Sequence, residues 1–489
     1  MDLRVELKHR LRKTGTTMDD MTADDRSNRS DNETQASTPA GTTASARGGT
    51  LKRTIGLSEL VFIGLVFIGP AAAVGVFGTL DARSGGAVAL VYIVATIVMA
   101  FTAVSYMRMS REVPRAGTVF AYASAGIGKP AGFVAGWMIL LDYLFIPSVA
   151  YLFTGIALNS IFPALPVWVF VAVAVVLTTG LNLAGVKVAS RVITGVVLAE
   201  VAVLALVLVL GIAYLVQHGP TRGWLTPLTG VDAFSVTAVL AAVSVAVLSY
   251  LGFDSLATFS EEATGGPRIV GRATLICLVL AGVFFVAQTW VGSLLSPLTP
   301  AELQADPALE GAAYYEAVDS TLGSWLHWLL ALAKAVGAAF SAMIGQAAGS
   351  RILMDMGRSR QVPKFLAEVA PKTGVPWKGI LVAAGGNVIV AGWAATRADG
   401  LDQLTSIVNV GALTAFIFLQ VSVVGYFLVK KQGSETPNWF NHGVIPVIGA
   451  GLLIAVLVSA NPLALVIGAV WLVIGIAVFA VNNRRRIHG

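Results

Sequence analysis

The sequence predicts an all-α polytopic membrane protein, and three observations point to it. The chain of 489 residues is 56% hydrophobic and only 12% charged, with a mean hydropathy of +0.77, whereas a soluble domain carries about a quarter charged residues. Its apolar residues fall in runs of about 20, enough to cross a hydrocarbon core of about 30 Å as helix. Lysine and arginine gather in alternate connections between those runs, as topogenic signals do. A transmembrane barrel would need strands of about 10 residues alternating in polarity, and these runs are too long and too uniformly apolar.

Residues 1–50 have another composition, polar and rich in Ser, Thr, Asp and Gly. Such a stretch buries too little apolar surface to order itself, and it lacks the apolar core of a signal peptide. It reads as a disordered cytoplasmic tail. From Leu57 the sequence predicts about twelve spans, at roughly 57–80, 86–109, 130–160, 165–183, 187–216, 234–262, 272–296, 327–356, 378–395, 403–430, 444–460 and 462–482. One set of connections carries Arg108, Arg111, Arg115 and Lys129, then Lys187 and Arg191, then Arg268 and Arg272, then Arg351 to Lys378, then Lys430 and Lys431. The alternate set is poor in bases and holds Glu302, Asp306, Glu310, Glu316 and Asp319. An even number of spans with both termini cytoplasmic puts every basic connection, and Arg484-Arg485-Arg486, inside.

Several functions are excluded. A single cysteine, Cys277, rules out an internal disulfide and a multi-cysteine metal site. The histidines His9, His218, His327, His442 and His488 are scattered without ligand spacing, so no metal, haem or other cofactor is expected. The net charge of +6 is the positive-inside signal of a membrane protein, not a nucleic-acid footprint. An enzyme would need a nucleophile and base, or a metal set, converging within the spans. A channel would need charged rings or a filter motif. Neither pattern is present.

Spans 1 and 6 are both interrupted. IGPAAAVGVFG (68–78) sets Pro70 between Gly69 and Gly75 in the middle of an apolar run. SYLGFDSLATFSEE (249–262) sets Gly252 beside Asp254. Proline removes a backbone donor and glycine lowers the cost of leaving the helix. Such residues also serve helix packing. Paired breaks in spans that enter from opposite sides, however, point to a midplane binding site in a secondary transporter.

VPRAGTVFAYASAGIGKPAGFVAGW (113–137) resembles the signature around the third span of the amino acid–polyamine–organocation permeases. LNLAGVKVASR (181–191), the span 6 stretch with Arg268 and Arg272, and SRILMDMGRSRQVPKFLAEVAPKTGVPW (350–377) are similar to three further family segments, in order along the chain. LLDYLFIP (140–147) and VNVGALTAF (408–416) look closest to the branch of putrescine importers and related bacterial amino acid permeases.

The resemblance implies a 5+5 inverted repeat with discontinuous helices 1 and 6: residues 51–217 as the first repeat, 218–431 as the second, and 432–489 as two extra helices with a basic C-terminus. It implies a plasma-membrane symporter that imports an amino acid, with a proton as co-transported partner and the lipid bilayer as its medium. A putrescine, polyamine or other organic amine importer of the same fold is the alternative. The carboxylate cradle would be Ala71, Ala72, Ala73, Val74 and Gly75, with Gly69 also in the substrate-binding site. The ammonium side would be the carbonyls around Ser249, Tyr250 and Gly252, with Tyr250 or Phe253 closing over the ligand and Asp254 also in the substrate-binding site. Freed N–H groups suit a carboxylate and freed carbonyls an ammonium. Putrescine importers carry an aspartate where this chain has Gly75, which favours a zwitterionic amino acid.

Asp142 and Asp254 are intramembrane acids, and such groups are functional by default. Asp254 suits a gating or proton role or a structural hydrogen bond, and Asp142 a structural role or recognition of an amine. Lys187, with Ser341 as its neighbour, would couple transport to protons; Lys187 is equally an inside-loop lysine. Glu261 and Glu262 against Arg268 and Arg272 would latch the cytoplasmic gate.

Overall fold

The computed structural model describes residues 55–113, 119–185, 190–231, 235–254, 256, 263–264, 266–358, 363–434 and 436–487. The expected tail at 1–50, and the expected roles of Lys187, Glu261 and Glu262, lie outside the described residues. Within them the regular secondary structure is helical apart from one isolated bridge, Ile55 to Ala263. The helices are α1 Leu57–Ile68, α2 Ala72–Ser84, α3 Val88–Glu112, α4 Val119–Gly126, α5 Lys129–Ile161, α6 Val167–Leu183, α7 Ser190–His218, α8 Val236–Ala246, α9 Pro267–Leu295, α10 Ala313–Leu322, α11 Ser324–Arg358, α12 Trp377–Ala395, α13 Gly400–Val424, α14 Ile445–Val458 and α15 Pro462–Ile487.

Nine of the described helices are long and apolar enough to cross a bilayer. The pair α1 and α2 passes the same test together and is bent by 50° at its break. Two further apolar helices are shorter, α6 and the stretch Val236–Tyr250. Large apolar side chains point outward around the bundle, among them Val176, Val216, Val283, Ile389 and Val473, with Val216 77% exposed. On a soluble protein such a belt would drive association; against lipid tails it is neutral. The chain is a multi-pass helical membrane protein.

α5 runs through the centre and packs against α4, α6, α11, α12 and α13, while α9 packs along α3 and α1. α14 and α15 lie outside this core, against α13 and its neighbours. The arrangement leaves α2 and α8 short, interior and adjacent to each other.

Candidate functional site

The site begins with two places where helical hydrogen bonding stops. α1 ends at Ile68, and Gly69 takes φ 79°, a left-handed value that only glycine adopts without strain. Pro70 has no N–H to offer, and Ala72 N–H turns back to the Gly69 carbonyl at 3.0 Å. α2 then starts at Ala72 with no side chain capping its first turn, so its leading N–H groups form a positive end. In the second break α8 tightens into a 3-10 turn at Val247–Tyr250, Leu251 becomes extended, and Gly252 takes φ 110°. A Cβ on Gly252 would stand 2.8 Å from the Phe67 carbonyl oxygen. The two breaks therefore touch. Below them the chain ahead of α1 is joined to the chain after the second break by Thr264 N–H donating to Ile55 at 3.0 Å.

Ala71, Ala73, Val74 and Gly75 are buried and Ala72 is partly so. A side chain at Gly75 would meet the Phe153 ring at 2.7 Å. Ser249 Oγ lies 2.8 Å from the Tyr92 hydroxyl. The Tyr250 hydroxyl lies 2.6 Å from Thr96 Oγ1 and donates to the Tyr92 carbonyl. Tyr250 is thus tied to α3. Phe253 is fully buried among Tyr106 and Phe416, with centroids 5.7 and 5.9 Å away. Asp254 accepts a hydrogen bond from the Tyr143 hydroxyl at 3.3 Å. Arg268 and Arg272, at the start of α9, are exposed.

The most telling contact at the first break comes from a residue that sequence reasoning passed over. Lys334, on α11 and buried, donates from Nζ to the Ala71 carbonyl at 2.8 Å and lies 4.8 Å from the centre of the Phe153 ring. Glu200, on α7 and buried, supplies the opposing charge. Its carboxylate packs where a Cβ on Gly337, one turn beyond Lys334, would come within 3.1 Å. The break therefore holds the Lys334 amino group, and the Glu200 carboxyl on a third helix lies near enough to act on it; alone in the bundle, either ion would be costly. Gln288 on α9 adds a hydrogen bond to the Pro70 carbonyl at 2.9 Å. Both charges were visible as lone ionisable residues in apolar runs, the ordinary mark of function in a membrane helix. Ser341 is exposed on α11, two turns beyond Lys334.

The far end of α2 is held by ion pairs. Arg222, in the connection after α7, donates to both oxygens of the fully buried Asp81 at 2.9 and 2.7 Å, and also to Ser293 and the Leu298 carbonyl. Arg83 pairs with Asp402 at 2.5 Å, and Asn461 donates to the same carboxylate at 2.9 Å. Thr79 donates to Glu310 at 2.6 Å, and the Glu310 backbone lies directly against Gly78. Burial pushes the Glu310 carboxyl up to about 7; the Thr79 hydrogen bond opposes this, Asp402 and Asp399 add to it, and Arg83 opposes it.

The chain is 29% identical over 437 residues to the low-affinity putrescine importer PlaP of Escherichia coli strain K12, covering 88% of this chain and 93% of that protein. It is 26% identical over 435 residues to the branched-chain amino acid permease BcaP of Lactococcus lactis, covering 82% and 88%. It is 24% identical over 476 residues to a methylthioribose transporter of Bacillus subtilis, covering 90% and 96%. The family model described as "Amino acid permease" matches residues 57–486. The chain belongs to the amino acid permease family and is a membrane transport protein, not an enzyme.

Proposed function

We propose that this permease imports an amino acid or related amine across the plasma membrane by alternating access about the two breaks, in symport with a proton. The observation that supports it is the approach of Gly252 to the Phe67 carbonyl, which brings both interrupted stretches of backbone to one place. The uncapped start of α2 suits a carboxylate, and freed carbonyls of the second break suit an ammonium. In this reading residues 51–217 and 218–431 are inverted repeats, the basic connections and both termini face the cytoplasm, and Glu261, Glu262, Arg268 and Arg272 gate that side.

Lys334 and Glu200 are the coupling pair in this reading, in place of the Lys187 that the sequence suggests. A protonated Lys334 ties the first break to α11 through the Ala71 carbonyl. Loss of that proton weakens the tie and frees the break to rearrange, so that movement of the proton and movement of the helix are linked. Purified protein in liposomes should accumulate labelled amino acid or amine under an inward proton gradient, and Lys334→Met should abolish the gradient dependence. No accumulation of any such solute would defeat the proposal.

The alternative, a diamine or polyamine importer, is favoured by one observation, the placement of Asp142 and Asp254.

A further inference from the structure

Lys334 and Glu200 are both buried, so a proton that reaches them needs a way in. A graded series of titratable side chains leads toward them from the surface. α10 contributes Asp319 and Tyr315, the start of α11 contributes His327, and α7 contributes Glu200. Asp319 is the outermost, with 36% of its side chain exposed, and His327 follows with 10%. Tyr315 is buried. His327 Nδ1 lies 3.3 Å from Asp319 Oδ1, and the imidazole ring lies against the Tyr315 ring with centroids 5.9 Å apart. Tyr315 is close enough to Glu200 to feel its charge, and Glu200 acts on Lys334 in the same way.

The depth of this series fits a route inward. Trp325 and Trp328, on either side of His327 in the chain, are 58% and 55% exposed, and indoles of this kind settle at the headgroup level of a bilayer. That puts His327 at the membrane interface. Lys334 is two turns further along α11, about 10 Å deeper. The other side chains near His327 complete the picture. Glu316 on α10 is exposed, the end of α5 brings Ser160 Oγ to 2.9 Å from His327 Nε2, and Tyr214 and His218 stack on each other at the end of α7. Both imidazole nitrogens therefore face polar atoms, and an imidazole can accept a proton on one nitrogen while releasing one from the other. A bridge between α5, α10 and α11 would account for His327 with its two partners. It would not account for the continuation through Tyr315 to a buried glutamate.

We infer that Asp319, His327 and Tyr315 form the route by which a proton from the outer solution reaches Glu200 and then Lys334. The inference rests on the proposed coupling role of that pair and adds its supply line. His327 takes a proton from water at the surface, where the Asp319 carboxylate stabilises the imidazolium. The proton passes by the Tyr315 hydroxyl to the Glu200 carboxylate. Glu200 then gives it to the neutral Lys334 amine, which restores the ammonium at the Ala71 carbonyl. Each step moves one proton from an acid to a base and changes no other bond.

The test is uptake into proteoliposomes of a labelled amino acid mixture and of labelled putrescine, measured in two ways. One is accumulation driven by an inward proton gradient; the other is exchange of solute at equal pH, which needs no net proton movement. Each variant is used with its unfolding transition intact. His327→Gln keeps a polar side chain toward Asp319 and Ser160 but cannot pass a proton on. It should lower gradient-driven accumulation at least about tenfold and leave exchange unchanged. His327→Ala should behave alike, and imidazole added outside should restore its accumulation by taking the vacated space beside Asp319. Tyr315→Phe, which keeps the ring and removes the hydroxyl, should show a smaller loss of the same kind. Wild-type accumulation in His327→Gln or Tyr315→Phe, a loss of exchange along with accumulation, or no rescue of His327→Ala by imidazole would overturn the inference. If His327→Ala does not fold, His327→Gln and Tyr315→Phe decide the matter. The coupling role of Lys334 would survive any of those results, provided that the wild type depends on the gradient and Lys334→Met does not. A wild type indifferent to the gradient would defeat the coupling role, and the route with it.

Discussion

The two ends of the interrupted first span differ in how their carboxylates are paired: at the far end each has a side-chain donor on at least one oxygen, even though Asp402 Oδ1 and Ser84 Oγ lack partners among the described residues, and at the near end Asp142 Oδ1 lacks one. At the far end of α2, the carboxylates of Asp81, Asp402 and Glu310 each meet a donor, from Arg222, from Arg83 and Asn461, and from Thr79. At the near end, where α1 meets the second break, Asp142 Oδ1 and the hydroxyls of Tyr106 and Tyr122 lack a partner among the described residues. Matched charges hold helices together. The far end of α2 is the more tightly ion-paired one, and the near end carries the breaks proposed to receive a solute.

The largest test of that contrast is removal of one half of the tightest pair. Arg222→Met leaves the Asp81 carboxylate buried and uncompensated, which costs about 3–5 kcal/mol. The expected outcome is a sharp fall in melting temperature or loss of folded protein. The double variant with Asp81→Leu should recover most of the loss, because it removes the stranded charge as well. A stable single variant would break the comparison.

A change at the near end should spare the fold more than the function. Gly252→Leu introduces a side chain at φ 110° and against the Phe67 carbonyl. Strain of about 1–3 kcal/mol is expected there, and if it falls on the transport step it corresponds to a fall of about fivefold to 150-fold in solute uptake. Uptake within twofold of wild type would show that the breaks need not approach each other.

The next test uses pH. The Glu310 carboxyl is held near 7 at the far end of α2 and returns toward its ordinary 4.5 when that end opens into water. Between those values the open form gives up its proton and the closed form keeps it, so closure weakens as pH rises and levels off above about 7. In a Cys277→Ala background, labelling of a cysteine placed at Ala82, divided by its labelling in Glu310→Gln, which keeps only the thiol's own pH dependence, should be about tenfold or more faster at pH 7.5 than at pH 5. An identical profile in both proteins would remove Glu310 from the account.

The smallest effect is expected at Ser341. It is exposed on α11, and Ser341→Ala should leave stability within about 0.5 kcal/mol and leave uptake unchanged. A clear loss of proton dependence would move the coupling role back toward the sequence-based assignment.

These contrasts also show what the sequence could express. The breaks were legible because Gly69, Pro70 and Gly252 stand inside apolar runs where local rules disfavour them. The helical membrane class was legible from run length alone. The partner of the first break was not, since Lys334 reaches Ala71 across 263 residues of chain, and such a pairing leaves no local periodicity. Glu200 and Lys334 were still detectable as single charges within apolar helices. The ion pairs of Asp81 and Arg83 were harder to anticipate, because charges near the end of a span look like ordinary flanking residues. Asp142 was singled out by its depth, but its neighbours Tyr106 and Tyr122 come from helices that only the fold brings beside it.

The most direct measurement is an experimental density map of the permease with its transported solute bound. It should show both helices interrupted at residues 69–71 and 251–252, with the solute between residues 71–75 and 249–254. Continuous helices through both positions, packed against each other with the solute bound elsewhere, would contradict the account.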